Sequence, residues 1–188
     1  MLAVQIKLDE KSIAEAQHIL RGIPKAMPRV LRRAINRCVD TAATDLKRKT
    51  SEQISLKKGE IAKGISKRKA SFVNLTGSVA GNAYRPGLAK FPGTRQTHKG
   101  VKYRISRAEG RKILEQGFLA TMPSGHRGAF VRRSQSRLPI IEAHGPSIWY
   151  VITNTPGLLA AATKRAGDQL RKNINDQIGV ELRRWRKK

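Results

Sequence analysis

The stretch GFLATMPSGHRGAFVRR, residues 117–133, decides between two readings of this chain: a phosphate-gripping loop or a hairpin that builds a larger sheet. Phe118, Ala120 and Met122 alternate along the chain, and Pro123-Ser124-Gly125 then turns it. Gly128-Ala129-Phe130-Val131-Arg132 returns as the partner strand. Period-two alternation on both sides of a Pro/Gly turn predicts an antiparallel hairpin. A phosphate loop needs a helix directly after its glycines, so that amide groups and a helix N-terminus converge on the anion. The residues after Arg133 carry no helical pattern, which favours the hairpin.

Outward from the hairpin, Leu138-Pro139-Ile140-Ile141-Glu142 predicts an edge strand, because proline removes one ladder donor. Val101-Lys102-Tyr103-Arg104-Ile105 alternates, and Ser71–Ala80 (SFVNLTGSVA) favours a further strand. Together these imply a small antiparallel sheet. Two prolines and several glycines in 84–100 (YRPGLAKFPGTRQTHKG) predict a long loop or extended arm.

Helical periodicity frames this sheet. Pro24 and Pro28 mark a helix start, since proline is tolerated in a first turn. Met27, Leu31, Ala34, Ile35, Cys38, Ala42 and Leu46 then recur at three- and four-residue steps, with Arg29, Arg32, Arg33, Asn36, Arg37, Asp40 and Lys47 opposite. A helix over about 26–53 would be roughly 40 Å long. Thr155 as cap and Pro156 as first helical residue predict a second long helix over about 156–186. Its stripe is Leu159, Ala162, Ala166, Leu170, Ile174, Ile178, Leu182 and Trp185. At the N-terminus, Leu2, Val4, Ile6 and Leu8 alternate as a strand. A helix capped by Asp9 follows, with Ile13, Ala16, Gln17 and Leu20 at helical spacing, and ends at Gly22. Residues 56–69 (LKKGEIAKGISKRK) suggest a short basic helix broken by Gly59 and Gly64. The expected architecture is a single α+β domain over 1–188: a small antiparallel sheet, two long helices and a short N-terminal strand–helix.

Charge narrows the partners. The chain has 39 Lys and Arg against 13 Asp and Glu, a formal +26. Residues 25–69 hold 14 basic against 4 acidic side chains, and 70–159 hold 13 against 3. The excess therefore runs through patterned, foldable sequence and is not confined to a tail. Such a surface repels itself and attracts nucleic acid or acidic proteins. The single Cys38 excludes an internal disulfide, fits a reducing compartment, and lies on the apolar stripe, where a buried, inert thiol is expected. The first residues lack a signal-peptide pattern, and no apolar run is long enough to span a bilayer. Asn74-Leu75-Thr76 matches the glycosylation sequon by chance on that reading.

Catalytic patterns fail on their chemistry. Gly59-Glu60-Ile61-Ala62-Lys63-Gly64 opens like a P-loop, but Ile65-Ser66 stands where Lys and Ser/Thr must meet phosphate and magnesium. His18, His98, His126 and His144 show no metal-ligand spacing, carboxylates are too sparse for a two-metal site, and no GxSxG elbow occurs. No catalytic residue, metal or cofactor is expected. No zinc-finger or RNA-recognition motif is present, and aromatics for base stacking are few. Contact with DNA would then run through phosphates, without sequence reading.

Three segments in order carry a resemblance. Leu31-Arg32-Arg33-Ala34-Ile35-Asn36-Arg37 resembles the long helix of the minor tail protein Z family of lambda-like phages. Ala129-Phe130, between the Ser124-Gly125-His126 turn and Arg132-Arg133, resembles its central hairpin. Arg137-Leu138-Pro139-Ile140 followed by Gly145-Pro146-Ser147 resembles its most recognisable segment. The likeness covers roughly 25–185; the 84–100 loop and Trp149-Tyr150 match nothing in it. It implies a non-enzymatic virion protein of the neck, made in the host cytoplasm, which completes the tail and joins it to the head as an oligomeric ring subunit. Its implied partners are its own copies, the tail terminator, the head–tail connector and the DNA in the channel, with no membrane. It also implies that Leu138, Pro139, Gly145, Pro146 and Ser147 shape the turn between the sheet and the last helix. The basic residues expected to meet DNA or acidic partners are Arg132, Arg133 and Arg137 near the hairpin, with Arg183, Arg184, Arg186, Lys187 and Lys188 at the end. A free, sequence-nonspecific nucleic-acid-binding protein is the competing reading, and a metal-dependent nuclease a third.

Overall fold

A computed structural model describes residues 3–6, 10–23 and 25–186. Leu2, Leu8, the Asp9 cap and the Pro24 helix start lie outside the described residues, as do Lys187 and Lys188. The fold is mixed α and β, with five α-helices and nine strands among the described residues. Its contacts gather into two compact units. One comprises 1–46, 65–81 and 155–188; the other comprises 47–64 and 82–154.

The first unit is built on helices. β1 (Ala3–Ile6) and α1 (Glu10–Ile19) precede α2 (Ala26–Gln53), whose bounds agree with the apolar periodicity. Leu31, Ala34, Ile35, Cys38, Ala42 and Leu46 are buried as the stripe requires, and Val30 and Val39 join them. α5 (Leu158–Trp185) supplies Ala166, Leu170, Ile174 and Ile178 to the core. Trp185, expected on the same stripe, is half exposed. α5 begins later than expected. Gly157 is its N-cap, in a left-handed conformation (φ 70°) that a glycine adopts without steric cost, and Thr155-Pro156 stays in the preceding turn. β1 pairs antiparallel with β3 (Gly77–Gly81), which pairs with β2 (Ile65–Arg68).

Two expectations change here. The basic helix over 56–69 is only α3 (Lys58–Lys63), which contains Gly59 and ends at Gly64. The residues after it form β2, because pairing with β3 outweighs their weak local pattern. The strand expected over 71–80 begins only at Gly77; 71–76 is an exposed loop.

The second unit is built on short strands. β4 (Arg95–Thr97), β5 (Gly100–Tyr103) and β6 (Lys112–Glu115) form one antiparallel sheet. β7 (Phe118–Thr121), β8 (Arg127–Arg132) and β9 (Ile140–Glu142) form another. The hairpin is therefore as expected, with Phe118 opposite Phe130 and Thr121 opposite Arg127, and β9 lies at its sheet's edge. The expected small sheet is realised as three three-stranded antiparallel sheets. The 84–100 segment is not a free arm: it carries a 3-10 turn over Leu88–Lys90 and β4, and it buries Leu88 and Phe91. α4 (Ile148–Asn154), not foreseen, buries Ile148 and Ile152.

Candidate functional site

β8 ends at Arg132, whose register partner is Ile140, and the Arg133 amide donates to the Pro139 carbonyl at 3.3 Å. These backbone links hold Arg132 and Arg133 beside the Leu138–Pro139 segment, and Arg137 lies in the exposed connection between the strands. The Arg132 guanidinium sits 4.9 Å above the Phe118 ring, a cation–π contact, and the residue is exposed. Arg133 and Arg137 have no acidic partner among the described residues. The structure thus brings the three hairpin arginines to one end of the β7–β8–β9 sheet.

Arg183 and Arg184 occupy the last turn of α5, and the Arg186 backbone amide closes it by donating a hydrogen bond to the Leu182 carbonyl at 3.1 Å. Cations are favoured there by the helix dipole. Arg184 reaches Glu181 only at 4.0 Å and remains 60% exposed. The hairpin arginines and the α5 arginines belong to different compact units.

The expected turn residues lead into α4, and not into the last helix. Ser147 Oγ accepts the Tyr150 amide at 3.1 Å and its carbonyl accepts the Val151 amide, so Ser147 caps α4. The Gly145 amide donates to the Pro86 carbonyl at 2.8 Å, and its own carbonyl accepts from Arg85. A Cβ at Gly145 would stand 2.9 Å from the buried Phe91 ring, so the ring's seat requires glycine. The Leu138–Pro139 peptide is cis, and Leu138 is exposed.

Three glutamates to which the sequence assigns no role form tight polar clusters. Glu181 is 4% exposed and is clasped by Arg29 at 2.5 Å and Arg33 at 3.5 Å. In the other unit Glu60 accepts from Lys63 at 2.5 Å, Lys90 at 3.1 Å and the Tyr84 hydroxyl. Burial would raise the Glu60 pKa, but the bonds from Lys63, Tyr84 and Lys90 outweigh it and hold it at about 2. Glu142 lies 3.0 Å from His126 and 3.8 Å from His144, so the histidine of the opening stretch is a partner of β9. Arg33 and Glu181 are 148 residues apart and His126 and Glu142 are 16 apart, separations that no local pattern reveals.

The exposed arginines of the hairpin and of α5 carry charge of the sign that attracts anions. Burial pushes the Cys38 thiol up to about 11, and its Sγ donates to the Ala166 carbonyl. Among the described residues no three His, Cys, Asp or Glu gather to hold a metal ion, and no helix is long and apolar enough to cross a membrane.

No curated protein and no solved structure matches the chain significantly. A family model described as prophage minor tail protein Z matches residues 10–188, nearly the whole sequence, and the chain belongs to that family.

Proposed function

We propose that this minor tail protein works at the neck of the particle, where it completes the tail and joins it to the head around the DNA path as a subunit of an oligomeric ring. Proteins of its family are structural components of phage tails. The observation that carries the finer reading is the distribution of positive charge. The helical unit holds 20 Lys and Arg against 8 Asp and Glu, and the strand-rich unit 19 against 5. Exposed arginines at the hairpin and at the end of α5 have few carboxylates of their own chain to meet. Screening in physiological salt acts over about 8 Å, so copies packed side by side require anions between them. DNA phosphates in a channel, or acidic faces of the tail terminator and connector, supply those anions without base reading.

Particles assembled without this chain test the reading. Heads and tails are expected to accumulate separately and to join when the purified protein is added back, with the protein located at the junction by electron microscopy. A location elsewhere on the tail overturns it. The competing reading, a free nucleic-acid-binding protein, requires tight, steeply salt-dependent DNA binding by the isolated chain and normal particles in its absence.

A further inference from the structure

The loop between β2 and β3 presents Val73, the most exposed large apolar residue of the described chain, beside the exposed Phe72. Val73 is 99% exposed and Phe72 57%. Hydrogen bonds order this loop at both base and apex. Asn36 on α2 donates to the Ala70 carbonyl at 3.2 Å and accepts its amide at 2.7 Å, as a neighbouring strand would. At the apex the Ser71 amide bonds the Asn74 carbonyl, the Asn74 amide bonds Ser71 Oγ, and Thr76 donates its amide and hydroxyl to Asn74 Oδ1. Phe72 is held by the Arg32 guanidinium, 4.2 Å from the ring centroid.

An apolar pair on an ordered loop suits a binding hot spot, because little conformational freedom remains to be lost on docking. Charge around the apex narrows the occupant. Lys67 and Lys69 are engaged by Asp40 at 2.9 and 2.8 Å. Arg68 is exposed and has no ion pair among the described residues, and Arg32 has a buried Nε without a hydrogen-bond partner. The fitting surface is an apolar pocket rimmed by carboxylates. A second copy of this chain is a poor source, because its formal charge is +26 and Asp40, Asp45, Glu52, Glu60, Glu109 and Glu181 already lie within 4.0 Å of lysines or arginines of their own chain. Duplex DNA offers phosphates but no seat for a valine, and the lysines nearest the apex are already paired.

We propose that the Phe72–Val73 apex is a docking knob that enters an acid-rimmed apolar pocket on a different virion protein. The inference rests on membership of the tail-protein family and not on placement at the neck. Its test uses the purified full chain in co-sedimentation with heads and with tails, each assembled without this chain. Val73→Ser is expected to weaken binding to one of them by about tenfold or more, the size of a hot-spot loss. Val73→Leu is expected to retain binding, and Arg68→Glu to weaken it several-fold. Thermal unfolding, self-association and retention on duplex DNA are expected to stay as in the wild type. Wild-type binding by Val73→Ser overturns the inference, as does a loss confined to self-association or to DNA, which would make the occupant a second copy or nucleic acid. Failure of the wild-type chain to bind either particle also overturns it. Binding to the tail at the end away from the head breaks the neck reading and leaves the knob standing.

Discussion

Glu181 in the helical unit and Glu60 in the strand-rich unit are both clasped by cations, but they join different things. Glu181 on α5 meets Arg29 and Arg33 on α2, so one carboxylate pins two long helices together. Glu60 on α3 meets Lys63 of its own helix, together with Tyr84 and Lys90 of the 84–90 segment. It therefore fastens a loop to a short helix. In a chain with three cations for each acid, carboxylates are the scarce ion. Both units place them where elements must be held, which leaves the remaining cations for the outside. The helical unit can afford a nearly buried carboxylate because its aliphatic stripes already define the packing. The strand-rich unit has short elements and leans on single large side chains.

That contrast is broken most severely at Phe91. It is among the largest fully buried side chains, and it packs where Gly145 leaves room. Phe91→Ala is expected to destabilise the protein by about 3–5 kcal/mol, read by urea unfolding. A cost below about 1 kcal/mol would mean that the strand-rich unit does not depend on this ring.

Glu181→Gln comes next, at about 2 kcal/mol. This is less than a fully buried pair would lose, because Arg29 and Arg33 keep a third of their surface in water. Equal stability of variant and wild type would show that the clasp contributes nothing to the helix pair.

Glu60 sharpens the comparison through pH. Its folded-state pKa of about 2 lies below the ordinary 4.5, so its stabilisation is complete above 4.5 and is lost as the pH falls toward 2. Glu60→Gln is expected to remove on the order of 1–2 kcal/mol at neutral pH, after discounting for lysines largely in water, and to flatten the acid limb of the stability curve. An unchanged acid limb in the variant would break the assignment.

The same contrast explains what was legible in the sequence. α2 could be bounded because an apolar stripe repeated over 28 residues drowns local noise. The hairpin could be read because alternation flanked a Pro-Ser-Gly turn. β2 could not, since Ser66, Lys67 and Arg68 carry no apolar alternation and become a strand only through β3. α4 was hidden because IWYVITN is rich in β-branched and aromatic residues, and a serine cap with tertiary burial makes it helical. The hairpin and α5 arginines were visible as charge. The Phe72–Val73 apex was not, because its residues read as strand interior, and only the pairing of β3 from Gly77 onward leaves them exposed.

Ser147→Ala tests the local support of α4. The lost bond to the Tyr150 amide is expected to cost about 1 kcal/mol, measured by chemical unfolding. A larger loss would mean that Ser147 does more than cap the helix.

The smallest expected effect falls on Asp40, which resembles Glu181 in chemistry and differs in exposure. Bonds from Lys67 and Lys69 hold its pKa below the usual carboxylate range, yet the carboxylate is 44% exposed where Glu181 is 4% exposed. Water screens the pair, and ordering two lysines offsets part of the attraction, so Asp40→Asn is expected to cost no more than about 0.5 kcal/mol, with that cost vanishing in high salt. Unfolding curves at low and high salt check both statements. A cost as large as that of Glu181→Gln would mean that burial does not separate the two, and that the surface ion pair fastens β2 to α2 as firmly as the buried one joins α2 to α5.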